Sequence, residues 1–212
     1  MSLSKFASAL RSLYSLKANT ISTHVKMPQL TFEDFQNFIA LAESKLDINA
    51  IPVFVESGTY LGETTETAAK IFRECHTVEL EPGHCNRALI KFGGNSSVFV
   101  HQGQSNQVFR KILPDISDPI FFWLDGHWSG GNTARGPTDV PLLEEIDVVL
   151  QTCNQPCVIV IDDVRLFGTN INEDWSEVTQ TAVLSKFMTG NRLVDFDTIG
   201  DRMLLYVDKC SA

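Results

Sequence analysis

Three aspartates that directly follow apolar runs are the residues of this chain best suited to bind a divalent cation. Asp125 follows the run FFWL, and Asp162 and Asp163 follow the run CVIVI. Carboxylates held close together repel one another unless a cation lies between them, and their oxygens suit Mg²⁺ or Ca²⁺ better than zinc, with Mn²⁺ also compatible. The pattern therefore predicts a metal site. The alternative is that one aspartate caps a turn while another faces water.

His127 comes two residues after Asp125, in the stretch DGHWSGG. The unperturbed pKa of an imidazole is about 6.5, so this side chain is a candidate general base; a surface histidine without a catalytic role is the alternative. The glycine-rich loop that follows is typical of a substrate-binding lid. Trp128 and Arg135 in this loop are candidates to contact an acceptor molecule, although each residue alone is more often structural or solvated.

A second group of candidates begins in the stretch ESGTYLGETT, residues 56–65. Gly58 and Gly62 are four positions apart, but Tyr60 stands where the G-x-G-x-x-G pattern needs a glycine, which argues against NAD. A turn at Gly58 still lets a ligand approach backbone N–H groups, unless it is an ordinary strand-to-helix turn. Glu79 ends the next predicted strand, where an acid either accepts the hydroxyls of a ribose or faces solvent.

The candidates share one feature, because each follows a segment predicted to be a buried strand. From Thr31, a predicted helix N-cap, helical and strand patterns alternate along the chain. This alternation predicts an α/β fold, a Rossmann-like doubly wound sheet that is mostly parallel, with helices on both faces. No helix separates the last two strand patterns, which meet at Gly200 and Asp201, so the last strand is predicted to be antiparallel.

Acidic residues end four of the predicted strands. They are Glu56, Glu79, Asp125 and the pair Asp162 and Asp163. In open parallel sheets, ligands bind beyond the carboxyl ends of the strands, so these acids are predicted to face one binding site.

The composition excludes several classes of function. The 212 residues suffice for one α/β domain, and 17 lysines and arginines against 26 acids give a net charge of -9, which argues against a nucleic-acid partner. A membrane-spanning helix needs about 18 consecutive apolar residues, and no run in this sequence is nearly that long, so no membrane association is predicted. The five cysteines are an odd number without zinc-type spacing and are interpreted as reduced thiols of a cytoplasmic protein.

The chain is predicted to divide into residues 1–30 and a domain over residues 31–212. The first part contains no acid and is rich in serine, a composition that also suits an organellar transit peptide. Helical spacing of its apolar residues favours an N-terminal extension or amphipathic helix packed on the domain. These residues are Phe6, Leu10, Leu13 and Leu16.

Taken in order, these stretches resemble the class I S-adenosylmethionine-dependent methyltransferases, specifically the divalent-metal-dependent O-methyltransferases of the catechol and macrocin sugar types. ESGTYLGETT is similar to the glycine motif of the catechol enzymes, TVELEP to their ribose-binding strand, and GQSN to their adenine-contacting segment. WLDGHW and VIDDV stand at their two metal-binding strand ends. The resemblance covers about residues 50–208 and implies a seven-stranded sheet.

The resemblance also implies two cofactors, S-adenosylmethionine and a divalent metal, most plausibly Mg²⁺. It assigns the methionine part of the first cofactor to Glu56, Tyr60 and Thr64, and the ribose to Glu79. The full cofactor-binding set is Glu56, Ser57, Gly58, Thr59, Tyr60, Gly62, Thr64, Glu79, Leu80, Gln104, Ser105 and Asp125, with Leu80 and Ser105 flanking adenine. The metal ligands would be Asp125, Asp162 and Asp163, and the catalytic residues His127 and Asp125.

Two departures from the catechol enzymes bear on the acceptor. Their lysine base, three residues after the first metal aspartate, is Trp128 here, and their Asp-Asn pair is Asp162-Asp163. The doublet is closer to the macrocin-type enzymes, some of which use a nearby histidine as base. The expected reaction is therefore metal-assisted methyl transfer to a hydroxyl of a sugar or other small polyol. The alternatives are a non-catalytic cofactor-binding module and a metal-dependent phosphate or ester hydrolase. A homodimer is a further expectation.

Overall fold

Seven strands make up the sheet of this protein, whose computed structural model describes residues 30–188 and 192–209. The bounds are β1 Val53–Ser57, β2 Glu74–Glu79, β3 Val98–Gln102, β4 Ile120–Leu124, β5 Cys157–Ile161, β6 Leu193–Ile199 and β7 Arg202–Val207. They lie side by side in the order β3-β2-β1-β4-β5-β7-β6. The extension or helix predicted for residues 1–30 lies, apart from Leu30, outside the described residues.

Helices connect most of the strands. Their bounds are α1 Phe32–Leu46, α2 Glu63–Ala68, α3 Pro82–Phe92, α4 Ser105–Ile112, α5 Leu142–Thr152 and α6 Gln180–Ser185. The predicted N-cap of α1 is confirmed, because the Thr31 hydroxyl accepts a hydrogen bond from the Asp34 N–H and the Asp34 carboxylate accepts one from the Thr31 N–H. Across the described ranges, none of the helices has the length and apolar character needed to cross a membrane.

The strand order brings β1 and β4 together, although β2 and β3 come between them in the chain. β1 pairs in parallel with both β2 and β4, and β4 pairs in parallel with β5. β7 is antiparallel to β5 and β6, and Gly200 (φ 60°) provides the left-handed residue of the β6–β7 turn. The predicted Rossmann-like sheet with an antiparallel last strand is confirmed. Its direction of winding reverses between β1 and β4, the place where such sheets bind ligands.

Apolar layers cover both faces of the central strands. All five residues of β1, β4 and β5 are buried, which explains their almost continuous apolar runs. On one face Phe35 of α1 packs against Phe54, Phe72 and Phe121, with ring centroids 5.5–5.9 Å apart. On the other face α4, α5 and α6 pack on the sheet. The ends of β1 and β4 are therefore rigid supports for the loops that follow them.

The aromatic cluster gives a direct test of this packing. Phe121 is fully buried, so Phe121→Ala is expected to lower the free energy of unfolding by about 3–5 kcal/mol, because it leaves a cavity between Phe35, Phe54 and Phe72. Ile90 on α3 is 84% exposed, and Ile90→Ala should change the same quantity by less than about 0.5 kcal/mol. Urea unfolding followed by tryptophan fluorescence measures both; equal losses would contradict the described core.

Candidate functional site

A cavity of about 550 Å³ opens beyond the carboxyl ends of β1, β2, β4 and β5. Most of the predicted site residues line it: Gly58, Thr59, Tyr60, Thr64, Glu79, Leu80, Gln104, Ser105, Asp125, His127, Asp162 and Asp163. Glu56, Ser57 and Gly62 are not among its lining residues. The structure thus brings the two groups of candidates into one cavity, with three of the predicted residues behind its wall.

The turn after β1 forms one wall of the cavity and packs closely on the loop after β4. Gly58 has a φ of 86°, and a Cβ added there would lie 2.4 Å from the backbone oxygen of Asp125. The Gly58 N–H donates to the Val78 carbonyl (3.0 Å). Tyr60 also has a left-handed backbone (φ 47°). Glycine is required at position 58 both for the backbone conformation and for this approach.

Glu79 is held at the cavity wall by the backbone. One carboxylate oxygen accepts a hydrogen bond from the Tyr60 N–H and the other from the Glu81 N–H, each at 2.8 Å. The residue is 8% exposed. Each carboxylate oxygen has two lone pairs, so both oxygens can still accept a hydroxyl from a ligand. This arrangement suits the predicted role in binding two neighbouring hydroxyls.

Glu56 occupies a different environment from the one predicted. Its carboxylate accepts hydrogen bonds from the hydroxyls of Thr65 and Thr77, the latter at 2.6 Å, and the residue is 1% exposed. Burial raises the pKa of Glu56 to about 8, although the two threonines oppose this shift. Because the side chain links β1 to α2 and β2 behind the wall, the geometry favours a structural role over the predicted contact with a cofactor.

Asp125, His127 and Asp163 converge in the same cavity, beside the Gly58 turn. His127 Nδ1 lies 3.4 Å from Asp125 Oδ1, and His127 Nε2 lies 3.6 Å from Asp163 Oδ2. One ligand atom from each of the three residues lies within 4.8 Å of the other two. Two carboxylates and one imidazole are a donor set that fits a divalent ion, so the predicted kind of site is compatible with these residues.

His127 is surrounded by acids. Burial lowers the pKa of His127, but the carboxylates of Asp125, Asp163 and Glu173 together raise it to about 9. Unless another cation neutralises these acids, the ring is protonated near neutral pH. A protonated imidazole cannot accept a proton, so this environment does not favour the predicted role of His127 as a general base.

Asp162 lies next to an arginine and is close enough to Asp125 for the two carboxylates to interact. Arg202 Nε lies 3.3 Å from Asp162 Oδ1. Burial raises the pKa of Asp162 to about 7, with a further contribution from Asp125. Asp162 forms a second acidic group with Asp163 and Asp201, and the Arg165 guanidinium contacts the carboxylates of the last two. Two arginines therefore already compensate the charge of this group.

Several residues of the site were not predicted from the sequence. Glu173 lines the cavity, and its carboxylate accepts a hydrogen bond from Trp175 Nε1 (2.9 Å). The Trp175 ring meets His127 edge-on, with centroids 5.1 Å apart. Asp201 is 3% exposed and reaches the site from the β6–β7 turn. Neither acid follows a predicted parallel strand, which is the signal that identified the other acids.

The loop after β4 folds back on itself at the cavity entrance. The Trp128 N–H donates to the Asp139 carbonyl (2.8 Å), and the Arg135 guanidinium lies 4.6 Å from the centre of the Trp128 ring. Arg135 also forms an ion pair with the Asp139 carboxylate (2.6 Å). Trp128 and Asp139 line the cavity, whereas Arg135 is not among its lining residues. Of the two predicted acceptor contacts, Trp128 is therefore better placed.

Comparisons with known proteins identify the fold. No family model matches this sequence, and no curated protein matches it. An O-methyltransferase from Bacillus cereus in complex with SAH superposes with a TM-score of 0.57 at 15% identity, over 98% of this chain and 92% of that one. A SAH-bound methyltransferase from Podospora anserina gives 0.56 at 13% identity, over 99% and 97%.

A third solved structure extends the same likeness. A SAM-dependent methyltransferase from Aquifex aeolicus gives a TM-score of 0.50 at 14% identity, over 84% of this chain and 98% of that one. The predicted resemblance to class I methyltransferases is therefore confirmed at the level of the fold. At these identities the likeness establishes the fold and leaves the activity to be argued from the site.

The contact between Gly58 and the Asp125 backbone predicts the effect of a single methyl group. Gly58→Ala should lower the free energy of unfolding by more than about 2 kcal/mol, because the left-handed backbone and the clash add. Gly130 is a matched control with a φ of 79° and no atom within 4 Å of an added Cβ, so Gly130→Ala should cost about 1 kcal/mol. Equal thermal unfolding midpoints for the two variants would contradict the described contact.

The buried acids predict how stability depends on pH. The pKa of Glu56 is about 8 in the folded protein and 4.5 ordinarily, so the folded state keeps a proton that the unfolded chain releases. Stability should therefore fall as pH rises from about 4.5 to about 8, with a slope of up to about 1.4 kcal/mol per pH unit from this group alone. The raised pKa values of Glu145, Asp162 and His127 act in the same direction, up to about pH 9 for His127.

Urea unfolding of the protein in EDTA at pH 5, 6.5 and 8 measures this dependence. Glu56→Gln should reduce the slope between pH 5 and pH 8, whereas the exposed Glu177→Gln should leave it unchanged. A stability that rises over this range in the unmodified protein would show that these acids are ionised in the fold.

Proposed function

We propose that this chain transfers a methyl group from S-adenosylmethionine to a hydroxyl of a sugar or other small polyol, with the assistance of a divalent metal. The observation that carries the proposal is the meeting of two half-sites in one cavity. The Gly58 turn and Glu79 form one half, and Asp125, His127 and Asp163 form the other. A cofactor and an acceptor bound in these halves would be neighbours, as group transfer requires.

The first half-site supports a nucleoside cofactor. Glu79 presents a carboxylate that is fixed by two backbone N–H groups and has lone pairs free for ribose hydroxyls. Leu80, Gln104 and Ser105 also line the cavity, and the resemblance assigns Leu80 and Ser105 to the adenine. Two of the structural neighbours are SAH-bound methyltransferases, which makes the demethylated form of this cofactor the first ligand to test.

The second half-site supports an assisted deprotonation of a neutral acceptor. A divalent ion held by these residues would lower the pKa of an acceptor hydroxyl. Its proton would pass to solvent water as the oxygen takes the methyl group and S-adenosylhomocysteine leaves. The chain's own residues orient the acceptor: Trp128 and Trp175 supply apolar faces, and Glu173 supplies a hydrogen-bond acceptor for a further hydroxyl. The surrounding acids repel an anionic acceptor, which favours a neutral polyol.

One observation favours a second candidate, a cofactor-binding module without metal or catalysis. Asp125, Asp163 and Glu173 raise the pKa of His127 to about 9, although burial opposes this, so a protonated His127 would itself neutralise the cluster. This module would bind S-adenosylmethionine as tightly in EDTA as with added metal, and would transfer nothing. The cytoplasmic location, the homodimer and the absence of a nucleic-acid partner stay predictions.

Cofactor binding and methyl transfer test the proposal in turn. By calorimetry, Glu79→Gln should weaken S-adenosylmethionine binding at least about 10-fold, because a hydrogen-bonded carboxylate is worth about 1.5–3 kcal/mol. Glu81 caps α3 with its side chain and does not line the cavity, so Glu81→Gln is the matched control and should bind normally. No binding by the unmodified protein would exclude the proposed cofactor.

Transfer is measured as SAH formed with a panel of monosaccharides, nucleotide sugars and catechol. EDTA should abolish it without weakening cofactor binding, and Asp163→Asn should lower kcat at least about 100-fold. Asp174 is exposed, and Asp174→Asn should leave kcat unchanged. Undiminished transfer in EDTA would reject the metal, and turnover of catechol alone would reject the polyol acceptor.

A further inference from the structure

We propose that His127 is a direct ligand of the divalent ion, together with Asp125 and Asp163, and that Asp162 is not a ligand. The inference rests on the proposed function, because it concerns the ion expected in that site. The sequence predicted three carboxylates as the ligands, whereas the inference names one imidazole nitrogen and two carboxylates. It also assigns His127 to binding the ion rather than to accepting the acceptor's proton.

The first argument comes from two distances. His127 Nδ1 is 3.4 Å from Asp125 Oδ1, and Nε2 is 3.6 Å from Asp163 Oδ2. Charge-assisted hydrogen bonds between nitrogen and carboxylate are shorter, about 2.7–2.9 Å. Two adjacent donors that share an ion at about 2.0–2.2 Å stand about 2.8–3.6 Å apart in tetrahedral or octahedral geometry. One ion can bind only one of the two ring nitrogens, so only one of these separations is a distance between two ligands. That separation is within this range or close to it, and one donor atom from each of the three residues lies within 4.8 Å of the other two, which fits a shared ion.

The second argument concerns Asp162. Its Oδ1 lies 3.3 Å from Arg202 Nε, and the two acids with which it forms a cluster, Asp163 and Asp201, both contact the guanidinium of Arg165. A divalent ion placed among these three acids would be next to both arginines, whereas Asp163 Oδ2 faces His127 and is not the oxygen that contacts Arg165. Coulomb repulsion disfavours that position.

The third argument is the orientation of Asp163. Its Oδ1 contacts Arg165, which is itself held by Asp201, and its Oδ2 faces His127. The residue has a left-handed backbone (φ 61°), which is uncommon for aspartate. Residues around a metal commonly fix the ligands in this way, so one oxygen of Asp163 is positioned for an ion. Glu173 Oε2 lies 3.9 Å from Nε2, on the same side.

The ligand set has a consequence for the choice of metal. Imidazole nitrogen binds first-row transition metals more strongly than Mg²⁺, whereas carboxylate oxygens alone suit Mg²⁺ and Ca²⁺. A site with His127 should therefore bind Co²⁺ and Mn²⁺ more tightly than Mg²⁺. This differs from the expectation drawn from the sequence, in which Mg²⁺ was the preferred ion.

Metal binding by the full-length protein tests the inference without an activity assay. Co²⁺ is titrated into chelator-treated protein and followed by its visible absorption, and Mg²⁺ is measured by its competition. The unmodified protein should bind one Co²⁺ at this site, at least 10-fold more tightly than Mg²⁺. His127→Ala should bind Co²⁺ at least about 10-fold more weakly, because even the loss of a residue that only supports a metal ligand commonly costs this much. Asp162→Asn should bind Co²⁺ with an affinity within about threefold of that of the unmodified protein.

Electron spin-echo spectroscopy of bound Mn²⁺ supplies a readout that does not depend on a variant's folding. A directly bound histidine nitrogen should give ¹⁴N modulation in the unmodified protein and in Asp162→Asn, and none in His127→Ala. Absence of this modulation, absence of Co²⁺ and Mn²⁺ binding, or loss of metal in Asp162→Asn alone would each overturn the inference. Calorimetry with S-adenosylmethionine separates the failure of this inference from the failure of the proposed function. If the unmodified protein shows the ¹⁴N modulation but does not bind S-adenosylmethionine, the proposed function is rejected and the proposed metal ligands are retained.

Discussion

The close contact between the ends of β1 and β4 determines the layout of this site. Ser57 pairs with Leu124 at the end of the two strands, the Asp125 N–H donates to the Ser57 carbonyl (3.2 Å), and Gly58 packs on the Asp125 carbonyl. Because these strands are adjacent, the Gly58 turn and the loop that carries Asp125 and His127 pack on each other and form one wall of the cavity. A residue larger than glycine at position 58 would separate the two.

The second constraint is that the negative charges of the buried acids must be neutralised. The acids of this site differ in the kind of side chain that neutralises them. Arg165 and Arg202 lie on the side of Asp162, Asp163 and Asp201, where they contact these acids. On the other side Asp125 has His127 as its neighbour, and this ring is a cation only when both of its nitrogens carry a proton. One cluster of acids is therefore balanced by permanent charges, and the other by a group whose charge depends on its partners. The net charge around His127 can therefore change with protonation or ion binding, whereas the charge around the two arginines is fixed.

The sequence predicted the fold and the acids at the strand ends because buried parallel strands leave long apolar runs, and the residue after such a run is easily found. It did not predict which way each acid points. Glu56 lies at the end of β1, yet its carboxylate faces Thr65 and Thr77 behind the wall. Glu173 and Asp201 come from a loop and a hairpin turn, and only the tertiary fold brings them to the site.

The glycine between Asp125 and His127 explains why these two residues are spaced as they are. A Cβ at Gly126 would lie 3.0 Å from Ser57 Oγ and 3.1 Å from Glu145 Oε1, and both of those residues are buried beneath the loop. Glycine therefore lets the backbone rest on a floor of these two polar side chains, whereas a larger residue would push them aside by a few tenths of an ångström. Burial raises the pKa of Glu145 to about 7, which keeps much of this floor uncharged near neutral pH. The negative charge of the site is thereby concentrated above the loop, where an ion or His127 can neutralise it.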